Sequence, residues 1–486
     1  MALGLTRSRI AALFGLLFVL LLTAKLCHID ILWAEEGYGS AGAVQILHGK
    51  MIYRDFWFDK PPLAALIYLL WHGRPGFWLR FGGAVYALLC CAAAYRLTSY
   101  LWSKREGAYA AALMGFFLIF DLPVSVMTLG PDLLMVLPSL AAVDCAARNR
   151  PFRSGLWCSV ALATNAKALL IVLVSIFWCG GLWSSFASGF ALGCAPWLAW
   201  LAVSGSLPEY WRQVWWFGSQ YSRDTFLKHP AKDGLLRTLN WAGFHACIVI
   251  AAATELWRRE WHNLRWWIWL AAGAAGVVAG ERFFPRYYFI LLSPILLLAA
   301  RTISTSSRGL RFALLALLLI PAIRFGPRYV LLAKDAMTGR EPAWSDIQLN
   351  SDSRVVSRRI LNARKPADTL LVWGYRPDLF AYTQMPVAGM FLDSQMLTGV
   401  IADRHLTDSR PTFPDLAANN RGRLAQQNPT FIVDGLGKLN PALAMTQYAD
   451  FQNWLKANYT ELFQTPMSVV YRRVSPEGAQ PTSPVN

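Results

Sequence analysis

Apolar residues gather in long runs up to about residue 325, and polar residues fall mainly in the short intervals between them. A helix needs about 20 consecutive apolar residues to cross the hydrocarbon core of a bilayer. The runs at 10–27, 78–101, 107–121, 132–147, 155–166, 168–184, 186–203, 237–256, 265–280, 287–300 and 310–325 therefore predict a membrane all-α protein. The expected number of transmembrane helices is about 11, in a range of roughly 10–13, because two spans are short around Asn165-Ala166-Lys167. The first run follows Arg7 and Arg9, lacks an A-x-A-like cleavage site and is succeeded by further spans. It reads as an uncleaved helix with a cytoplasmic N-terminus.

After Arg340 the pattern changes to that of a soluble α/β mixture. Residues 369–374 predict a strand ending in a turn, Pro429 to Asp434 a second strand, Phe451 to Phe463 a helix and Met467 to Arg472 a last strand. The tail from Ser475, rich in Pro and Ser, is expected to fray. The organisation expected is a membrane domain over 1–325, with a catalytic outer loop at 28–77, followed by a soluble extracytoplasmic domain over 326–486. No internal repeat and no Walker, Rossmann or hydrolase-elbow motif is present.

Composition supports this division. Hydrophobic residues make up 55% of the 486 and charged residues 15%, against about 25% charged in ordinary soluble domains. Of the net charge of +17, only +3 lies after Gly326, where 17 basic residues face 14 acidic ones. The remainder sits in short loops between spans, a distribution that orients helices rather than binding nucleic acid. Threading the spans alternately places Arg7/Arg9, Lys104/Arg105, Arg148/Arg150/Arg153, Arg258/Arg259/Arg265 and Arg301/Arg308/Arg311 on one side, the cytoplasmic one. The loops 28–77 and 204–236, the turns 121–131 and 281–286, and the C-terminal part then lie outside. Trp211-Arg-Gln-Val-Trp215-Trp216-Phe217 resembles an interfacial helix. The eight cysteines all fall in or beside apolar segments with no metal-type spacing, as small buried residues do.

Chemistry is expected where charges are costly to desolvate. Glu35 and Glu36 follow directly on the apolar stretch Ile31-Leu-Trp-Ala. A carboxylate near the membrane surface can act as general base for an acceptor hydroxyl, or hold a divalent cation such as Mg or Mn. The alternative is that both acids simply favour the N-terminal end of a helix beginning near Gly37. The same loop continues through Gly49-Lys50-Met-Ile-Tyr53-Arg54-Asp55 to Asp59-Lys60-Pro61-Pro62-Leu63.

This order of features, an acidic pair, a helix, Gly-x-x-x-Tyr-x-Asp and Lys-Pro-Pro-Leu, resembles the first outer loop of GT-C glycosyltransferases. The likeness is to the protein O-mannosyltransferase and aminoarabinose lipid A transferase group (families 39 and 83). That family's loop usually opens with Asp-Glu; the matching position here is Glu35, which the resemblance implies as catalytic base, with Glu36 beside it. Thr128-Leu-Gly-Pro131-Asp132 matches the family's second acidic element, and Thr164-Asn-Ala-Lys167 its Thr-Lys-Gly element without the Gly. Arg282-Phe-Phe-Pro-Arg286-Tyr287, followed by Pro294, matches an Arg-x-x-x-Arg/His-Tyr element.

The resemblance implies a multi-pass protein of the bacterial inner membrane that transfers a sugar, with inversion, from a polyprenyl-phosphate donor to a lipid, glycan or protein hydroxyl. Glu35, Glu36 and Asp132 would be catalytic, with Glu35 and Asp132 the candidate pair for a divalent cation. Lys167, Arg282, Arg286 and Tyr287 would hold the donor phosphate, since a guanidinium can bind two phosphate oxygens at once. Tyr53, Asp55, Asp59 and Lys60 would position the loop or the acceptor. Rival readings are a membrane transporter, a polysaccharide assembly or export subunit, and a glycan polymerase or ligase. A transporter would carry its charges near the midplane on interrupted helices, whereas here they crowd the outer loops.

Overall fold

The computed structural model of the chain describes residues 6–340 and 344–474; the Pro- and Ser-rich tail from Ser475 lies outside the described residues. Two compact units emerge, each built from discontinuous pieces of chain. One comprises Met1–Asp30, Asp59–Ala64 and Pro75–Ala343; the other comprises Ile31–Phe58, Ala65–Arg74 and Trp344–Asn486.

The first unit is helical. Every apolar run named above contains helix, and among the described residues five helices are long and apolar enough to cross a membrane alone: Arg7–Leu26, Phe77–Leu101, Trp183–Val203, Pro285–Thr305 and Arg308–Thr338. Ala168–Trp178 and Leu264–Val278 are shorter apolar helices. Pro230–Phe244 and Ala246–Glu260 form a bent pair at 91°. The bend falls at His245, whose Nδ1 lies 2.9 Å from the Trp241 carbonyl and whose ring stacks on both Phe117 and Trp241. Leu207–Tyr210, a wider turn over Trp211–Trp216 and Phe217–Ser222 run on as one helical stretch. It exposes Trp211 and Trp216 while burying Gln213 and Val214.

The second unit surrounds a four-stranded sheet. Its strands are β1 (Leu370–Trp373), β2 (Phe431–Asp434), β3 (Tyr459–Gln464) and β4 (Val469–Arg473), in the order β1-β2-β4-β3. β1 and β2 are parallel and buried at every position, as strands covered on both faces must be. One expectation is corrected: the segment 451–463 is helical only as far as Asn458, and its second half is β3, paired antiparallel with β4. Tyr459, Thr460 and Phe463 are strand-favouring residues, and the Tyr459 hydroxyl is held by the Pro429 carbonyl at 2.8 Å.

In this unit, Arg376 is buried and satisfied in several directions. Its guanidinium donates to Asp352 at 2.9 Å, to Ser353 at 2.7 and 3.0 Å and to the Leu349 carbonyl at 3.0 Å. Burial pushes the Asp352 carboxyl up, but Arg376 and the hydroxyls of Ser468 and Thr465 outweigh it, so the carboxyl sits below its ordinary range.

The segment 31–58 packs inside this second unit. Gln45 of the helix Ala34–Leu47 accepts from the Val387 amide at 2.7 Å and donates to the Met385 carbonyl at 3.3 Å. Lys50 donates to the Val387 and Gly389 carbonyls at 2.6 and 3.3 Å, and the Trp57 amide to the Met390 carbonyl at 2.7 Å. Tyr38 stacks on Phe58 with ring centroids 4.8 Å apart.

Candidate functional site

Residues named from the sequence converge first in the helical unit. Asp132 opens the short helix Pro131–Leu134, where a carboxylate is favoured by the positive end of the peptide dipoles. Lys167 follows the break after Pro151–Thr164. Asn165 organises that break: its Oδ1 accepts from the Lys167 amide at 3.0 Å, and its Nδ2 donates to Asp132 Oδ1 at 3.0 Å. Lys167 Nζ lies 3.5 Å from Asp132 Oδ1 and 2.8 Å from the centroid of the Tyr287 ring. Arg286 Nε lies 3.4 Å from Asp132 Oδ2, and its guanidinium is 4.6 Å from the Phe284 ring centroid.

Lys167 and Arg286 thus both pair with the Asp132 carboxylate, whose side chain is 9% exposed. The ion-pair distances exceed the 2.7–2.9 Å typical of tight charge-assisted bonds.

Arg282 is not part of this group. It is buried, donates to the Gly280 carbonyl at 2.9 Å and places its guanidinium 3.6 Å from the Tyr221 ring centroid. The chain on either side of Arg282 is strained: Glu281 and Phe283 both adopt left-handed conformations, with φ of 50° and 49°. Conformations of this kind persist where the surroundings enforce them, often at functional sites. Lys60 pairs with its neighbour Asp59 at 3.1 Å.

The remaining acids belong to the sheet-containing unit. Glu35 and Glu36 lie in the first turn of Ala34–Leu47, which starts earlier than the sequence suggests; Glu36 is fully buried and Glu35 partly. Gly37 explains how the first turn is seated. A Cβ there would come within 3.0–3.1 Å of the Asp378 backbone and Cβ, so the helix is pressed directly onto the start of Asp378–Thr383. Asp378 accepts from Asn350 at 3.2 Å, and burial pushes its carboxyl above the ordinary range. Asp55 accepts from the Met51 amide at 2.7 Å and from Arg54, whose hydrogen bonds hold its carboxyl down. Tyr53 is buried at φ 68°. Asp55 and Tyr53 thus fix the turn that returns the chain from the acidic helix.

Sequence reading missed a buried basic group in the helical unit. Lys25 donates to the Val126 and Met127 carbonyls at 2.8 and 3.0 Å, and Arg80 to the His28 and Met127 carbonyls at 3.0 and 3.1 Å. Arg328 Nε lies 3.3 Å from His28 Nε2. These contacts hold the segment that leads into Asp132. The signal available was the presence of Lys25 and Arg80 inside apolar spans. Among the described residues, no group of three or more His, Cys, Asp or Glu side chains is placed to hold a metal ion.

The chain is similar to ArnT from Cupriavidus metallidurans bound to undecaprenyl phosphate, with a TM-score of 0.59 and 13% identity over 97% of this chain and 99% of that one. It is likewise similar to the apo state of that protein, with a TM-score of 0.61 and 13% identity over 96% and 98%. No protein-family model matches the chain, and no curated protein sequence is significantly similar to it.

Proposed function

We propose that this protein is a multi-pass glycosyltransferase of a bacterial inner membrane, with its C-terminal domain and reaction on the outer face. Its donor is a sugar linked to a polyprenyl phosphate, and its acceptor carries a hydroxyl. The observation that carries the reading is the loose pairing of Lys167 and Arg286 with one carboxylate, supported by a fold like that of a protein solved with undecaprenyl phosphate.

In this reaction the bond between the anomeric carbon and the phosphate oxygen breaks while the acceptor oxygen bonds to that carbon, and the electron pair leaves with the phosphate. Lys167 and Arg286 stabilise the charge gathering on the leaving phosphate, as preorganised cations do in a water-poor site. Glu35, assisted by Glu36, accepts the acceptor's hydroxyl proton. Displacement from the face opposite the phosphate inverts the anomeric centre. Asp132 keeps the two cations apart and oriented, and with Asn165 fixes the backbone from which Lys167 projects. Two fixed cations supply the positive charge that a divalent ion would otherwise bring.

The test uses purified full-length protein in lipid vesicles, supplied with a labelled polyprenyl-phosphate sugar. Transfer to a hydroxyl acceptor, lost in Glu35→Gln and Asp132→Asn while thermal stability stays near that of the wild type, supports the reading. Equal turnover by both variants refutes the assigned acids. Accumulation of solute in sealed vesicles without transfer would instead mark a transporter.

A further inference from the structure

A cavity of about 580 Å³ lies in the helical unit, within the range of pockets that take small ligands. Its walls are aromatic, supplied by Trp241, Phe244, Phe283 and Phe325. Its polar groups divide into two sets. Asp121 and His245 are buried and lie 3.5 Å apart, whereas Asn240 and Arg324 are exposed and Arg237 is half-exposed. The arginines therefore mark the open side.

The turn Pro285–Tyr288 separates this cavity from the Asp132 cluster. Pro285 and Tyr288 line the cavity, while Arg286 and Tyr287 belong to the cluster. The helices carrying the two arginines also expose apolar side chains beside them. Leu236 and Leu239 flank Arg237, and Ile320 and Ile323 precede Arg324. Exposed aliphatic residues around a basic mouth fit an opening that faces lipid and admits its ligand sideways, with the arginine heads meeting a charged group at its edge.

We propose that this cavity is a second lipid site, separate from the donor-phosphate cluster, and that it takes a membrane lipid with an anionic phosphate headgroup. Arg237 and Arg324 grip the phosphate, whose oxygens match the guanidinium fork. The aromatic walls cover the first carbons of the chains, and Asp121 accepts a hydrogen bond from a headgroup hydroxyl. The assignment goes beyond the transferase reading and does not depend on turnover.

Native mass spectrometry of the full-length protein with phosphatidylglycerol, phosphatidylcholine and undecaprenyl phosphate tests it. Wild type should retain phosphatidylglycerol over phosphatidylcholine by about tenfold or more, because phosphatidylcholine sets a quaternary ammonium beside the same phosphate, where the two arginines disfavour it. Arg237→Gln/Arg324→Gln should abolish that preference, and Asn240→Trp, which blocks the mouth while leaving both arginines, should do the same. Both variants should keep undecaprenyl phosphate retention within about twofold of wild type. Absence of the preference in wild type, or its survival in both variants, overturns the proposal. Loss of undecaprenyl phosphate together with phosphatidylglycerol also overturns it, because the cavity would then be part of the donor site.

Discussion

Lys167 and Arg286 reach Asp132 across 3.5 and 3.4 Å, whereas Glu36 is buried on a helix where a Cβ at Gly37 would come within 3.0–3.1 Å of Asp378. The basic cluster is joined through side chains, with both cations on the Asp132 carboxylate. The acidic helix is held by backbone packing and by Gln45, which accepts from the Val387 amide and donates to the Met385 carbonyl, while Lys50 just beyond it donates to the Val387 carbonyl. The contrast fits the jobs assigned to them. A group that must admit and release a phosphate needs replaceable partners, whereas a base must keep its position, because a misplacement of about 1 Å can cost on the order of 100-fold.

The comparison is broken most severely at the acids. Glu35→Gln/Glu36→Gln should lower transfer by about 10²–10⁴-fold, the range for removing general-base catalysis, while undecaprenyl phosphate is still retained by the protein in native mass spectrometry. Loss of both would mean that the acids also hold the donor. Gly37→Ala tests the rigid seating without touching a charge: transfer should fall by roughly 100-fold, with a loss of about 1–3 kcal/mol in stability from overpacking. Kinetics and thermal unfolding on the same preparation separate the two effects.

Further effects are confined to stability of the sheet-containing unit. Arg376→Met leaves Asp352 as an uncompensated buried charge and should cost about 3–5 kcal/mol, read from the thermal unfolding transition. The Asp352 carboxyl is depressed in the folded state. Its contribution is therefore complete above the unfolded value of about 3.9 and is lost as pH falls through the lower folded value. Asp378 has the opposite sign, since its carboxyl is raised on folding; Asp378→Asn should relieve a cost that grows as pH rises above about 3.9. Unfolding curves for the two variants between acid and neutral pH should therefore diverge from wild type in opposite directions.

Much of the fold was legible because its signals are local. Uninterrupted apolar runs mark helices whatever they pack against, and both parallel strands announced themselves as short β-branched and aromatic segments at Leu370–Trp373 and Phe431–Asp434. The segment 451–463 was misread because a helical period and a strand share a boundary at Asn458 with no Gly or Pro to mark it. Within the site, Asp132, Lys167 and Arg286 could be picked out as charges at helix starts and breaks, and Asn165 ties Asp132 to the Lys167 backbone. What sequence could not supply was packing: that Gly37 presses the acidic helix onto Asp378, that Arg282 turns to Tyr221 rather than to Asp132, and that Lys25 and Arg80 hold the carbonyls of 126–127. Each depends on residues tens or hundreds of positions apart.

The central claim is that Lys167 and Arg286 receive the phosphate of a polyprenyl-linked sugar as it departs. The most direct measurement is single-turnover transfer of labelled sugar from undecaprenyl phosphate in vesicles, comparing wild type with Lys167→Gln/Arg286→Gln. Wild type should convert the donor, and the double variant should be slower by at least about 10²–10³-fold, the loss expected for removing preorganised charge from a transition state. Equal single-turnover rates, with the variant folded and Glu35 and Glu36 intact, would contradict the account.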